Sequence, residues 1–211
     1  MKTWMLKRAE LAALLAAGDI WELYFFEEHP LAPDRKESAE AVFSLVKNGL
    51  LAVRETGAVL TETGERIIRV LRDAQTAVSV QFPEETAPAR TVYPGAEYVS
   101  FAQTAVSADV VRVSLLSQEE FCGDLMEEAA LPDEGGEIEL LADSEDIALL
   151  PEGRITLTLE AVDLRTRKPV RTLLAEETAE GVYLLAGGAE NQRWTADRAA
   201  FLYLTDRLVR P

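Results

Sequence analysis

The chain has 211 residues, enough for one large domain or two small ones. Its 37 acidic side chains outnumber 21 basic ones, and the resulting net charge of −16 opposes approach to nucleic acid. The sequence contains no run of about 18 apolar residues, so it predicts no membrane-spanning helix. The single cysteine, Cys122, excludes an intrachain disulfide and a zinc site built on cysteines, and it fits the reducing cytoplasm in which we expect the protein.

The N-terminal residues predict an amphipathic helix over residues 7–17. Leu11, Leu14 and Leu15 recur at helical spacing and therefore share one face. Basic residues precede this apolar segment, as they do in a secretory signal, but Glu10 interrupts it and leaves it short. We therefore favour the helix over a signal peptide.

The next segment has the order of elements of a winged helix. A helix from Ser38 to Asn48 precedes a hairpin over residues 52–60, and a second helix runs from Thr61 to about Ala74. Ser38 and Thr61 are predicted N-caps because their hydroxyls can accept hydrogen bonds from free amides of the first helical turn. Residues 1–76 thus predict a helical, winged-helix-like segment.

The charge of this segment does not favour DNA binding. In a winged helix the helix before the hairpin reads the major groove. Here that helix carries Lys47 against Glu40, which is a poor surface for reading bases. The following helix has Arg66, Arg69 and Arg72 at spacing three, and we take these arginines as a candidate basic contact stripe. In the usual docking, however, that helix lies behind the wing.

Residues 77–131 and 154–211 predict two similar strand-rich halves. The first begins with a strand over residues 77–82 that alternates strictly and is expected to be half-buried. It ends with a helix that Ser117 opens in a capping box. The second predicts three strands and a final helix capped by Thr195.

Residues 132–153 between the halves predict an acidic linker, with short helical pieces or irregular structure after residue 137. One unit of strands and a helix cannot bury both faces of its sheet, whereas two such units can share one sheet. The fold class is therefore α+β, with two halves that share an antiparallel sheet and helices packed against it.

The residues that could support catalysis or bind a metal are few. His29 lies in a polar loop, and Cys122 lies on an apolar helix face. Glu120, Asp124 and Glu128 line one face of a helix, which in a chain this acidic is more typical of a solvated face than of a metal site. No nucleotide-binding or phosphate-binding motif occurs. We predict neither an enzyme nor a cofactor.

The order of these segments resembles the ESX secretion-associated EspG family, the cytosolic chaperones of type VII secretion. The resemblance covers about Ala39 to Leu208 and is carried by "LVKNGLL", "LTETGERIIRVLRDAQTAVSVQF", "EEAALP" and "ITLTLEAVDLRTRKPV". It implies two halves related by a pseudo-twofold and a non-catalytic role. The partner it implies is an aggregation-prone helical secretion substrate. The alternative is a winged-helix transcriptional regulator whose C-terminal part senses a ligand or dimerises. A homodimer remains open under either interpretation.

Overall fold

The computed structural model describes residues 1–24, 35–55, 57–83, 89–104, 107–133, 140–144, 152–187 and 191–209. His29, Thr56 and most of the predicted acidic linker lie outside these ranges. The described elements in chain order are β1 (Lys2–Lys7), α1 (Arg8–Ala17), α2 (Arg35–Lys47), β2 (Leu51–Arg54), β3 (Gly57–Leu60), α3 (Glu62–Asp73), β4 (Thr76–Gln81), β5 (Arg90–Tyr93), β6 (Tyr98–Thr104), β7 (Ser107–Leu116), α4 (Gln118–Glu128), β8 (Leu140–Ser144), β9 (Arg154–Asp163), β10 (Lys168–Glu177), β11 (Val182–Gly187), β12 (Asn191–Thr195) and α5 (Arg198–Val209).

Ten of the described strands form one antiparallel sheet in the order β1-β7-β6-β5-β4-β9-β10-β11-β12-β8. This order is symmetric about the junction of β4 and β9, where Val80 lies opposite Leu159. Each side contains a four-stranded meander followed by a helix, and an earlier strand, β1 or β8, completes the edge. The predicted α+β fold with two halves sharing one sheet is therefore confirmed.

Helices α4 and α5 cover one face of the sheet across both halves. Their apolar side chains form one core with alternate residues of the strands, and its larger members include Val80, Leu159, Phe121, Leu125, Phe201 and Leu204. The rings of Tyr98 and Phe121 pack with centroids 5.2 Å apart, which fixes α4 over β6. Full burial of a side chain of this size stabilises the fold by about 1.5–3 kcal/mol.

Helices α1, α2 and α3 cover the opposite face of the first half. Their buried leucines and isoleucines pack against alternate residues of β6 and β7, among them Val99, Phe101, Val111, Val113 and Leu115. As a result β4 is covered on both sides. The prediction that residues 77–82 form a half-buried strand is therefore wrong. Ala77 and Ser79 on one face of the strand are buried, and so are Val78 and Val80 on the other.

The N-terminal segment contains the predicted order of helix, hairpin and helix. Thr61 caps α3 as predicted: its hydroxyl accepts a hydrogen bond from the Gly64 amide at 3.2 Å and donates one to Gly49 O at 2.7 Å. Gly49, at φ +70°, follows the end of α2. Ser38 is not the N-cap of α2, because that helix begins at Arg35. Strand β1, which pairs with β7, was not predicted.

The second half departs from prediction in three places. Strand β8 lies within residues 132–153, where irregular or helical structure was expected. A fourth strand, β12, follows β11. Thr195 is the last residue of β12 and does not cap α5. Asp197 takes that role, because its carboxylate accepts a hydrogen bond from the Ala200 amide at 2.7 Å.

Candidate protein-binding face

In the second half, none of the described helices covers the sheet face that α1–α3 cover in the first half, and the side chains on it are partly exposed or buried. Alternate residues of β9 to β12 pack against α4 and α5, so the residues between them point to the other side of the sheet. We call this surface the open face; its members are Thr156, Thr158, Glu160, Thr172, Leu174, Tyr183 and Arg193. Among the described residues, the core beneath α1–α3 includes none from β9 to β12.

The chemistry of the open face is mixed. Leu174 lies opposite Thr158 of β9, Tyr183 lies opposite Thr195 of β12, and each of these side chains is only partly exposed. Leu185, on the same side of β11, is buried. A surface that combines apolar contact area with hydrogen-bonding groups suits a protein partner better than a small, enclosed ligand.

A buried carboxylate orders one end of the open face. Glu176 is 1% exposed, and its Oε2 accepts hydrogen bonds from the amides of Glu152 at 2.8 Å and Gly153 at 3.1 Å. Arg193 Nη2 lies 3.1 Å from the other carboxylate oxygen. These contacts join the start of β9 to β10 and β12. A buried charge is tolerated only when it is paired and hydrogen-bonded in this way.

Arg193 in turn connects this carboxylate to the rest of the face. Its guanidinium lies 4.4 Å from the centroid of the Tyr183 ring and 3.0 Å from a carboxylate oxygen of Glu152. Stacking on an aromatic ring together with two ion pairs holds a guanidinium in one orientation. These contacts therefore fix the position of the Arg193 side chain at this end of the open face.

The predicted arginine stripe lies on α3, which packs on the covered side of the first half. Arg66 forms a bidentate pair with Glu97, with Nε 2.7 Å from the carboxylate, and this pairing raises the pKa of the arginine. Arg72 donates a hydrogen bond to Gly18 O at 3.0 Å. Arg69 is exposed and has no ion pair among the described residues. Two of the three side chains thus make contacts within the chain.

The three carboxylates predicted to line α4 do face one side, but they have basic neighbours. Glu128 pairs with the buried Arg90, and Glu120 pairs with the N-terminal amino group. Burial raises the pKa of Asp124, while nearby arginines oppose that shift. The acidic row is therefore exposed at Glu120 and partly exposed at Asp124 and Glu128, where Arg90 lies beside it.

Cys122 is buried between α4 and α5, as its apolar surroundings predicted. Burial raises the pKa of its thiol to about 11, so the thiolate is scarce at neutral pH. Within the described ranges, no group of three His, Cys, Asp or Glu side chains is placed to hold a metal ion. In the same ranges, none of the helices has the length and apolar character needed to cross a membrane.

Sequence reasoning did not identify the open face, although a signal for it is present. In "RITLTLEAV" the residues that alternate with the apolar ones are Thr156, Thr158 and Glu160, whereas the matching positions of "AVSVQF" begin with Ala77 and Ser79. The polar alternation indicates a strand with one accessible face. It does not reveal that α1–α3 stop short of the second half, because that depends on packing between distant segments.

Comparison with solved structures finds proteins of similar fold. The chain is similar in structure to the Mycobacterium tuberculosis type VII secretion system chaperone EspG5, solved in complex with the PE25–PPE41 dimer. The TM-score is 0.58 at 10% sequence identity, and the match covers 100% of this chain and 97% of that chain. No protein-family model matches the sequence, and no curated protein matches it. At this identity the likeness shows the fold, and the protein has an EspG-like fold over its whole length.

Proposed function

We propose that the protein is a non-catalytic cytoplasmic chaperone or adaptor that binds a helical substrate of type VII secretion. The observation that carries this proposal is the likeness to a secretion chaperone solved with its partner dimer, because it extends over the whole chain. Resemblance in the order of sequence segments supports the same assignment.

The open face is the surface that we assign to the substrate. An amphipathic helical hairpin could lay apolar side chains against Leu174 and Tyr183 while the threonines of β9 and β10 hydrogen-bond its polar groups. Glu160 on this face and the net charge of −16 favour a substrate with basic residues near the contact. The same charge helps to keep a chaperone soluble when its partner aggregates.

Co-expression tests the proposal directly. The protein, with an affinity tag, is produced together with each pair of small helical proteins encoded beside it. The molar mass of the purified complex is then measured by size-exclusion chromatography with light scattering. We expect one pair to co-purify in a defined ratio and to precipitate when expressed alone. Failure to retain any of the pairs would count against the chaperone assignment.

Matched variants locate the surface. Leu174→Asp places a charge on the open face, whereas Val53→Asp places the same charge on the β2–β3 hairpin, where Val53 is 71% exposed. We expect Leu174→Asp to raise the Kd by about tenfold or more and Val53→Asp to leave it unchanged. Thr158→Arg provides a second open-face variant with no loss of apolar burial. The opposite ranking would place the contact on the N-terminal segment.

A further inference from the structure

Strand β1 forms one edge of the ten-stranded sheet. It pairs with β7 on one side, and no other described strand lies along its second side. Lys2, Thr3, Met5 and Lys7 of this strand have exposed side chains. The free edge of a strand presents backbone N–H and C=O groups with which another extended chain can pair. A further strand can therefore be added to the sheet beside β1.

One hydrogen bond shows which backbone groups of β1 are free. The amide of Lys7 donates to Glu10 Oε2 at 2.7 Å, so it does not point towards Val110, its neighbour on β7. Hydrogen-bonded and non-bonded positions alternate along an antiparallel pair. Thr3 and Met5 therefore also turn their N–H and C=O groups away from β7. Alternate residues of an incoming strand of about five residues can pair with both of them.

The charges along β1 favour an acidic partner. Lys2 and Lys7 lie at its two ends, and neither ammonium group forms an ion pair among the described residues. The strand itself contains no acidic residue, although the whole chain has a net charge of −16. At physiological ionic strength charges are screened beyond about 8 Å, so a strand beside β1 interacts mainly with these two lysines.

A cavity of about 410 Å³ lies beside the first residues of β1 and has room for a side chain of the added strand. Lys2, Trp4 and Thr63 line it, and none of its described lining residues is acidic. A hydrogen bond from Trp4 Nε1 to Asn48 O at 3.3 Å orients the indole. A carboxylate in this cavity would meet the Lys2 ammonium and the Thr63 hydroxyl. On the other side of the strand Met5 is 54% exposed and offers apolar contact.

We propose that the free edge of β1 binds an extended, acidic segment of a protein partner as an additional strand of the sheet. Backbone hydrogen bonds to Thr3 and Met5 supply the affinity, and Lys2 and Lys7 select carboxylates near the two ends of the segment. This edge lies at the opposite end of the strand order from β10, β11 and β12. The proposal therefore concerns a surface distinct from the open face, and it does not depend on the proposed function.

Three synthetic peptides test the proposal. The acidic one is an acetylated, amidated hexapeptide with glutamate at both ends and alternating valine and threonine between them. The basic one has lysine in place of both glutamates. The third is the acidic peptide with N-methyl groups on its four central residues, which removes their N–H donors and keeps the charges. Each is titrated into the full, isotope-labelled chain, and amide chemical shifts and hydrogen exchange are followed by NMR.

We expect the acidic peptide to give saturable shifts at Thr3 and Met5, with a Kd of about 1 mM or lower, and to slow exchange of the Met5 amide. The basic peptide should bind about tenfold more weakly, because its charges are repelled by Lys2 and Lys7. The N-methylated peptide should not bind, because it lacks the donors that pair with the edge. Equal binding of the two charged peptides, binding of the N-methylated peptide, or shifts confined to other regions would overturn the proposal.

Charge reversal on the chain ties this preference to β1. Lys2→Glu combined with Lys7→Glu should weaken binding of the acidic peptide by about tenfold and strengthen binding of the basic one. Lys168→Glu makes the same change at an exposed position of β10 and should affect neither peptide. Circular dichroism checks that the variants are folded. Equal effects of the double variant and of Lys168→Glu would contradict the assignment to β1.

A second copy of the chain is the competing occupant of this edge. Pairing of β1 with β1 would bring four lysines together without an acidic residue, and edge lysines oppose such pairing. Sedimentation equilibrium of the chain without peptide distinguishes the two occupants. A monomer with a rapidly exchanging Met5 amide supports the proposal, whereas a dimer in which that amide is already protected would overturn it. None of these results bears on the binding of a substrate to the open face.

Discussion

The two halves share one topology but use the same sheet face differently. In the first half that face carries Phe101 and Val113, which are buried beneath α1–α3. In the second half it carries Thr158, Leu174 and their neighbours, which remain partly exposed. The difference lies in the described helices: α1–α3 pack on this face in the first half, and none of them packs on it in the second.

The sharpest way to break this comparison is to truncate one large apolar side chain on each half. Phe101→Ala should lower the free energy of unfolding by about 3–5 kcal/mol, because it leaves a cavity in a packed core. Leu174→Ala, on the open face, should cost about 1 kcal/mol, because its side chain is partly solvated when folded. Urea denaturation followed by circular dichroism measures both. Equal losses would mean that the open face is packed as tightly as the covered one.

The ordered end of the open face can be loosened by one substitution of similar shape. Glu176→Gln keeps the side-chain volume but removes the charge that holds Arg193 and weakens the acceptor for two amides. We expect a loss of about 1–3 kcal/mol in unfolding free energy, since the buried position loses its charge and the partly buried Arg193 keeps only Glu152 as an ionic partner. Glu177, the next residue in the chain, forms an exposed ion pair with Arg154. Glu177→Gln is therefore the control, and it should lower the free energy of unfolding by less than about 1 kcal/mol.

The N-terminal layer can be weakened at the start of α3. Thr61→Ala removes the oxygen that accepts the Gly64 amide and the hydroxyl that reaches Gly49 O, so it should cost about 1 kcal/mol. Thr61→Ser retains both hydrogen bonds and should recover most of that loss. Thermal unfolding of the two variants side by side provides the measurement. If serine failed to rescue, the cap would not be the cause.

The smallest effect expected is a pH dependence in the β9–β10 turn. Hydrogen bonds from the amide and hydroxyl of Thr166 lower the pKa of Asp163 in the folded state. Their stabilisation is therefore complete above the unfolded pKa of about 4 and is lost as the pH falls through the lower folded value. The difference in Tm between the parent and Asp163→Asn should shrink as the pH is lowered from about 5 to about 3. A difference that stays constant would contradict this linkage.

Local features of the fold were predictable from the sequence. Thr61 and Ser117 were recognised as caps because a cap depends on side chains within one helical turn. Asp197 was missed because Thr195, two residues earlier, offers the same chemistry, and only the end of β12 decides between them. Strand β1 was missed because its partner is a distant strand, with Lys2 opposite Leu115.

The candidate site was harder to predict than the fold, since it depends on which of the described helices lie over the sheet. The alternation of threonine and leucine in β9 was visible, but the reach of α1–α3 across the sheet is a property of tertiary packing. The arginine stripe had the opposite problem. Its spacing was correct for one helix face. Arg66 contacts Glu97 and Arg72 contacts Gly18, however, and these partners are too distant in the sequence for a local pattern to predict them.

The measurement that tests the central claim most directly uses a fluorophore on each surface. Cys122 is buried with a raised pKa, so an introduced cysteine is labelled selectively under native conditions. An environment-sensitive dye is attached to Thr158→Cys on the open face and, in a second protein, to Val53→Cys on the hairpin. On addition of the co-purifying helical pair, we predict a blue-shifted emission at position 158 and no change at position 53. A shift at position 53 alone would contradict the claim that the open face binds the substrate.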